Sequence, residues 1–254
     1  DYKNSIIMTI KTILNYSPNF NPIKRNKKQI KFIIFHYTGM KKESVAINRL
    51  TNIQSEVSSH YLIKNNGEII TLVPDLYIAW HAGKSSWKNC ESLNKNSIGI
   101  EISNPGHDFK YKKFSNKQIS SLLRLSKFLI KKYKIGPKNI LGHSDIALDR
   151  KKDPGEKFPW KYLAKNKVGL WHSLKDQVLK KNRKLKIKGE SEKYFLDNLS
   201  RIGYSKKTPK NFNRKNYLIL VIKAFQRRFR QKIIDGKIDK ECLLISENLI
   251  KKFS

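Results

Sequence analysis

The stretch GHSDIALDRKKDPG, residues 142–155, sets His143 and Asp153 ten positions apart, in a segment holding Arg150, Lys151 and Lys152 and closing on Pro154-Gly155. A third residue of the same chemical kind, His36, sits at the end of the apolar run KFIIFHYTG. A catalytic zinc takes three protein ligands from histidine and carboxylate and keeps a fourth position for water. These three residues would suffice. Spacing alone leaves plainer readings open: a loop histidine is usually only solvated, and an aspartate before proline commonly starts a turn.

Such residues need elements to bring them together. KFIIFHYTG (31–39) is a compact apolar run with a Gly-closed polar end, which predicts a buried strand delivering its last residues to a sheet edge. ESVAINRLTN follows with helical spacing. HYLIKNNGEIITLV (60–73) predicts two strands around an Asn66-Gly67 turn. In SIGIEIS (97–103) alternation puts Glu101 on the face of Ser97 and Gly99, opposite Ile98, Ile100 and Ile102. Ser115 and Gln118 form a capping-box pattern that opens a helix. Its predicted buried face is Ile119, Leu122, Leu123, Leu129 and Tyr133, and its predicted stop is Gly136-Pro137. Strands mixed with helices indicate an α/β domain through about residue 164. The segment KNRKLKIKG (181–189) reads as a charged linker, after which only helical patterns remain. The predicted division is therefore 1–180 and 181–254, the second part a small all-α domain.

The 254 residues suffice for one domain of ordinary size and a smaller one. A net charge of +34 invites a polyanionic partner. The excess is spread over both halves, however, and solvated lysine faces are the plainer reading. Nucleic acid would call for clustered basic and aromatic motifs, which this spread does not supply. No run approaches the roughly 18–20 apolar residues of a membrane-spanning helix. SIIMTIKTIL (5–14) is short, and Lys11 interrupts it. The chain begins at Asp1 without methionine, which is compatible with a removed signal peptide or lipid-anchor segment. Cys90 and Cys242 lack metal-type spacing and are expected to be buried free thiols.

Five blocks in order, FIIFHYTG, SSHYLIKNNGEI, WHAGKSSW, NSIGIEI and GHSDIALDRKKDPG, resemble the zinc-dependent N-acetylmuramoyl-L-alanine amidases of the type-2 amidase family, relatives of peptidoglycan-recognition proteins. The resemblance runs from about Ser17 to about Trp160. It implies a central mixed β-sheet flanked by helices, with His36, His143 and Asp153 as zinc ligands. It aligns Glu101 with the catalytic glutamate and Lys151 with the lysine that stabilises the transition state. His60 and His81 lie in family-like blocks, where they line the substrate cleft or satisfy core hydrogen bonds. Trp80 and Trp87 offer surfaces for a sugar or peptide, although burial is the more frequent fate of tryptophan. His107 and His172 have no supporting context.

Residues 194–248 contain YFLDNLSRIGYS, VIKAFQRRFR and DGKIDKECLLISEN, which together resemble a three-helix peptidoglycan-binding module that accompanies cell-wall hydrolases. One Asp-Gly turn usual to that module is missing between Tyr204 and Tyr217. The implied activity is cleavage of the amide between N-acetylmuramic acid and L-alanine in peptidoglycan or muropeptides, in the bacterial cell envelope, periplasmic or associated with the outer membrane. The alternative is a non-catalytic binder of peptidoglycan or another polyanion. Filled ligand positions, with Glu101 and Lys151 present, favour the enzyme.

Overall fold

A computed structural model describes residues 9–205 and 207–253. The strands are β1 (Ile13–Leu14), β2 (Phe20–Asn21), β3 (Phe32–Tyr37), β4 (Tyr61–Ile63), β5 (Ile69–Thr71), β6 (Ile78–Ala79), β7 (Ser86–Trp87), β8 (Cys90–Glu91), β9 (Ser97–Ile102) and β10 (Ile140–Gly142). The helices are α1 (Glu43–Thr51), α2 (Asn116–Tyr133), α3 (His143–Ile146), α4 (Trp160–Lys165), α5 (Asp176–Asn182), α6 (Glu190–Ile202), α7 (Arg214–Phe229) and α8 (Lys240–Phe253). One six-stranded mixed sheet runs in the order β1-β5-β4-β9-β3-β10; β2–β6 and β7–β8 are separate two-stranded ladders. Pairing within the large sheet is parallel except between β4 and β5. The apolar stretch 5–14 falls partly outside the described residues, and its last two residues form the edge strand β1.

The sheet is apolar on both faces because both are covered, as parallel sheets require. On one face Ile33, Phe35, Ile98, Ile100 and Ile102 pack with Leu122, Leu125 and Leu129 of α2. Those three leucines recur at helical spacing and are fully buried, each contributing about 1.5–3 kcal/mol by leaving water. Leu125 belongs to this face, while Ile119 and Leu123, expected on it, lie at its half-buried margin. The capping box forms: Ser115 Oγ accepts from the Gln118 N–H at 3.2 Å, and Gln118 Oε1 accepts from the Ser115 N–H at 3.0 Å. The helix ends at Lys134, in the left-handed region at φ 54°, before the expected Gly136-Pro137, which begins a 3-10 turn.

At the far end of α2 a buried acid ties helix to sheet. Asp75 accepts from the hydroxyls of Tyr61 and Tyr133, both at 2.6 Å, and from Lys132 Nζ at 2.8 Å. Burial alone would raise its pKa, but these donors hold the carboxyl below the ordinary carboxylate range.

The opposite face of the sheet is covered by the C-terminal helices. One hydrophobic cluster runs from Phe32, Ile34 and Leu141 through Trp87 to Phe195, Leu199, Phe225 and Ile245. Residues after 189 are helical in pattern and in fact, yet they share this core with the sheet. The charged segment is likewise tied down. Arg183 donates to both carboxylate oxygens of Glu241 at 2.7 and 2.6 Å, and Lys186 makes an isolated bridge with Asp239. Gly203, at φ +142°, lies so close to Trp87 that a Cβ there would come within 2.3 Å of the indole. Both cysteines are free; Cys242 is buried, but Cys90 is only half-buried, at the short β7–β8 turn.

Candidate metal centre

Open sheets place their ligands outside the carboxyl ends of parallel strands. In this sheet the register brings two chemical residues to that edge side by side: β3 pairs with β9 so that His36 stands opposite Glu101. On the other side of β3, β10 pairs Gly142 with Phe35 and hands the chain directly to His143 at the start of α3. The loop after α3 returns Asp153 to the same point, fixed by the Ser144 N–H donating to the Asp153 carbonyl at 2.8 Å.

His36, His143 and Asp153 are all buried, and their ligand atoms converge. His36 Nδ1 lies 2.9 Å from His143 Nδ1 and 3.1 Å from Asp153 Oδ2, and His143 Nδ1 lies 3.0 Å from the same oxygen. Burial, with His143 alongside, pushes the His36 imidazole down to about 4. Although burial alone would raise it, N–H donation and positive charge at this point hold the Asp153 carboxyl well below its ordinary range; two neutral rings supply neither. A neutral ring and an ionised carboxylate present lone pairs to one another, and a single proton can bridge only one edge of this triangle. A cation satisfies all three corners. The sides suit a small tetrahedral ion, since bonds of about 2.0–2.1 Å imply donor separations of roughly 3.3 Å.

The outer nitrogens are held as a ligand set requires. His36 Nε2 meets His81 Nδ1 at 3.0 Å, and His81 Nε2 meets Ser97 Oγ at 3.2 Å. The Ser97 hydroxyl donates to the Leu93 carbonyl at 2.6 Å, which assigns the protons along the whole chain. His143 Nε2–H points to the Ala82 carbonyl at 3.2 Å. Both Nδ1 lone pairs therefore face the centre. His81 lies over Gly99, where any Cβ would come within 2.4 Å of its ring. That is why the strand carrying Glu101 has glycine at this position.

A cavity of about 490 Å3 opens on the triangle, lined by Glu101, Lys151, His81, Arg49, Tyr37 and His107 among others. Glu101 Oε2 is buried with no hydrogen-bond partner among the described residues. Burial pushes its carboxyl well above the ordinary value; the Asp153 charge adds to the rise and Lys151 opposes it. Of the three consecutive cations, Arg150 is committed to structure, donating to the carbonyls of Ala82 and Lys84, both at 2.6 Å.

The other expected cleft residues divide. His81 borders the cavity, and its ring bonds orient His36. His60 is in the core: its Nδ1 accepts from the Gly99 N–H at 3.0 Å, and its Nε2 lies against the Tyr77 carbonyl at 3.0 Å and the Arg25 guanidinium. Trp80 is exposed and lies outside the cavity lining. Trp87 is buried beneath the C-terminal region, edge-on to Tyr204 at 5.0 Å between centroids, so its surface is spent on packing. His107 is a site residue that sequence reasoning passed over. It lines the cavity, bonds Tyr37 Oη at 2.8 Å and Glu156 at 2.9 Å, and stacks on Tyr111. Its only signal was its place in the loop that follows the Glu101 strand. His172 is buried beside Trp171, away from the cavity.

A family described as N-acetylmuramoyl-L-alanine amidase matches residues 26–156. The N-acetylmuramoyl-L-alanine amidase AmiD of Escherichia coli strain K12 is 37% identical over 240 residues, 89% of this chain and 84% of AmiD. The structure of E. coli AmiD in complex with the substrate anhydro-N-acetylmuramic acid-L-Ala-D-gamma-Glu-L-Lys superposes with a TM-score of 0.76 at 34% identity, covering 91% of this chain and 92% of that one. AmpDh3 from Pseudomonas aeruginosa, in complex with anhydromuramic pentapeptide, also gives 0.76, at 30% identity over 100% of this chain and 98% of that one.

Proposed function

The chain belongs to the N-acetylmuramoyl-L-alanine amidase family, and from that premise we propose that a zinc ion held by His36, His143 and Asp153 is the centre at which it cleaves the bond between N-acetylmuramic acid and L-alanine. The protein is an amide hydrolase acting on peptidoglycan or its muropeptides. Zinc bound there would acidify a water and polarise the scissile carbonyl. Glu101 takes the proton of the attacking water and returns it to the departing amine of L-alanine; a carboxyl raised by burial is suited to both transfers. Lys151 donates to the carbonyl oxygen as negative charge develops on it. His81 keeps His36 in the ligating tautomer.

The observation that carries this reading is the parallel register. It sets the Glu101 carboxyl, whose Oε2 has no partner among the described residues, beside His36 and in the lining of the cavity that also holds His143 and Asp153. We place the activity in the cell envelope, with residues 181–254 helping to hold the polymer. A second cavity there, also about 490 Å3, sets Lys186, Lys188, Lys215 and Lys237 around Leu196, Leu218 and Ile222. Among the described residues no helix is long and apolar enough to cross a membrane.

The test is mass spectrometry of muropeptides, with and without a 1,6-anhydro end, after incubation with zinc-loaded protein. Release of free stem peptide beginning at L-alanine is expected. Intact muropeptides of both kinds, recovered alongside a protein that retains them, would leave a binding protein instead.

A further inference from the structure

A deeply buried charge pair outside the cleft joins the C-terminal helices to the segment that carries His143. Asp145, in α3, is 1% exposed. Its Oδ2 accepts from the Gly142 N–H at 2.8 Å and from Arg228 Nη1 at 2.7 Å, and its Oδ1 accepts from the Tyr204 hydroxyl at 2.7 Å. Arg228, on α7, also donates from Nη2 to the Ile140 carbonyl at 2.9 Å, and its guanidinium lies 4.3 Å from the centre of the Trp160 ring. Two residues from the C-terminal region thus grip the chain before and after His143, at Ile140 and at Asp145. The grip reaches further. Gly142 is so near Pro154 that a Cβ would come within 2.7 Å of it, and Ser144 holds the Asp153 carbonyl.

A buried ion pair is rarely more stabilising than well-packed apolar side chains of the same size, so stability alone does not account for this one. Its geometry does. A planar guanidinium with two fixed forks sets both position and direction of what it binds, which an apolar contact cannot do. We propose that Arg228 and Tyr204 are positioning residues of the metal centre: acting through Asp145, they fix the turn on which His143 stands, so the C-terminal helices complete the hydrolytic site rather than only accompany it. The inference rests on His143 being a metal ligand.

The experiment uses the full chain. Zinc affinity is measured by competition with a chelator, and the cobalt-substituted absorption spectrum and metal-free melting temperature are recorded, for wild type, Arg228→Met, Tyr204→Phe and the double variant Asp145→Asn/Arg228→Met. Arg228→Met is expected to weaken zinc binding about ten- to hundredfold, the usual consequence of losing a group that orients a ligand, and to alter the cobalt spectrum. Tyr204→Phe should weaken it severalfold. In the double variant no buried carboxylate is left unpaired, so the melting temperature should recover towards wild type while zinc affinity stays low. Zinc affinity that recovers together with the melting temperature would overturn the proposal, as would wild-type affinity in a folded Arg228→Met chain. If Arg228→Met does not fold, Tyr204→Phe decides, and wild-type zinc affinity in that variant overturns it. A wild-type chain that binds no zinc would overturn the ligand set itself, a result separable from all of these.

Discussion

Asp75 and Asp153 are almost equally hidden, 7% and 6% exposed. Their neighbours differ in kind. Asp75 is met by two hydroxyls and an ammonium, which are all donors. Asp153 is met by two imidazole nitrogens whose other ring positions are already committed as donors elsewhere. Donors around a buried carboxylate complete it, and the result is a structural joint. Lone pairs around a buried carboxylate leave a place for a cation. Glu101 is a third condition, a buried carboxyl oxygen with no hydrogen-bond partner among the described residues, and such a group is poised to exchange a proton. Depth of burial thus says little about role, whereas the donor or acceptor character of the neighbours says a great deal.

The sharpest way to break this comparison is to remove one corner of the triangle. His36→Ala, His143→Ala and Asp153→Ala should each lose bound zinc and turnover together, because two remaining ligands do not make a site. Metal analysis of the purified variants checks it, and stoichiometric zinc in His143→Ala would break the ligand set. Next in size, Glu101→Gln should retain zinc and fold but turn over about 10²–10⁴-fold more slowly, since an amide cannot accept the proton of the attacking water. Near-normal kcat would put the base elsewhere.

The smallest effect on catalysis, and the clearest contrast, is expected at Asp75. Asp75→Asn should leave zinc content and kcat unchanged while costing about 2–3 kcal/mol of stability, because one buried donor loses its acceptor. The loss carries a pH signature. The folded carboxyl is depressed below the ordinary aspartate value of 3.8, so its contribution is complete above that pH and disappears as pH falls through the folded value. Denaturation midpoints of wild type and Asp75→Asn should therefore lie well apart at pH 7 and converge in acid below about 3.8. A constant gap would mean that the ionised form is not what Tyr61, Tyr133 and Lys132 stabilise.

Strand β3, the hairpin of β4 and β5, strand β9 and the capped start of α2 were legible along the chain, because hydrophobic period, the Asn-Gly turn and capping chemistry are local properties. The alternation in SIGIEIS likewise put Glu101 on the face of Gly99, and the order of five blocks placed this chain near its family. Lys151 and His81, expected at the cleft, line the cavity, but which of their neighbours are withdrawn from that role was not legible. Arg150 is spent on two carbonyls, Trp87 and His60 are spent on the core, and His107, without local context, lines the cavity. That residues 181–254, read as a second part, share a hydrophobic core with the sheet could not be read either. A charged stretch looks the same whether it is a free linker or, as here, tied by Arg183 to Glu241.

What the sequence determined by itself was therefore the set of elements and the chemical types at their ends, since both follow from neighbours a few positions apart. Only the tertiary structure decided that His36 stands beside Glu101, that two Nδ1 atoms face one carboxylate oxygen, and that Arg228 reaches Asp145 from 83 positions away. Those relations depend on strand order and on which face each helix covers. They are settled by burying one shared core, and by pairing the few charges trapped inside it, rather than by any stretch of chain that could be read alone.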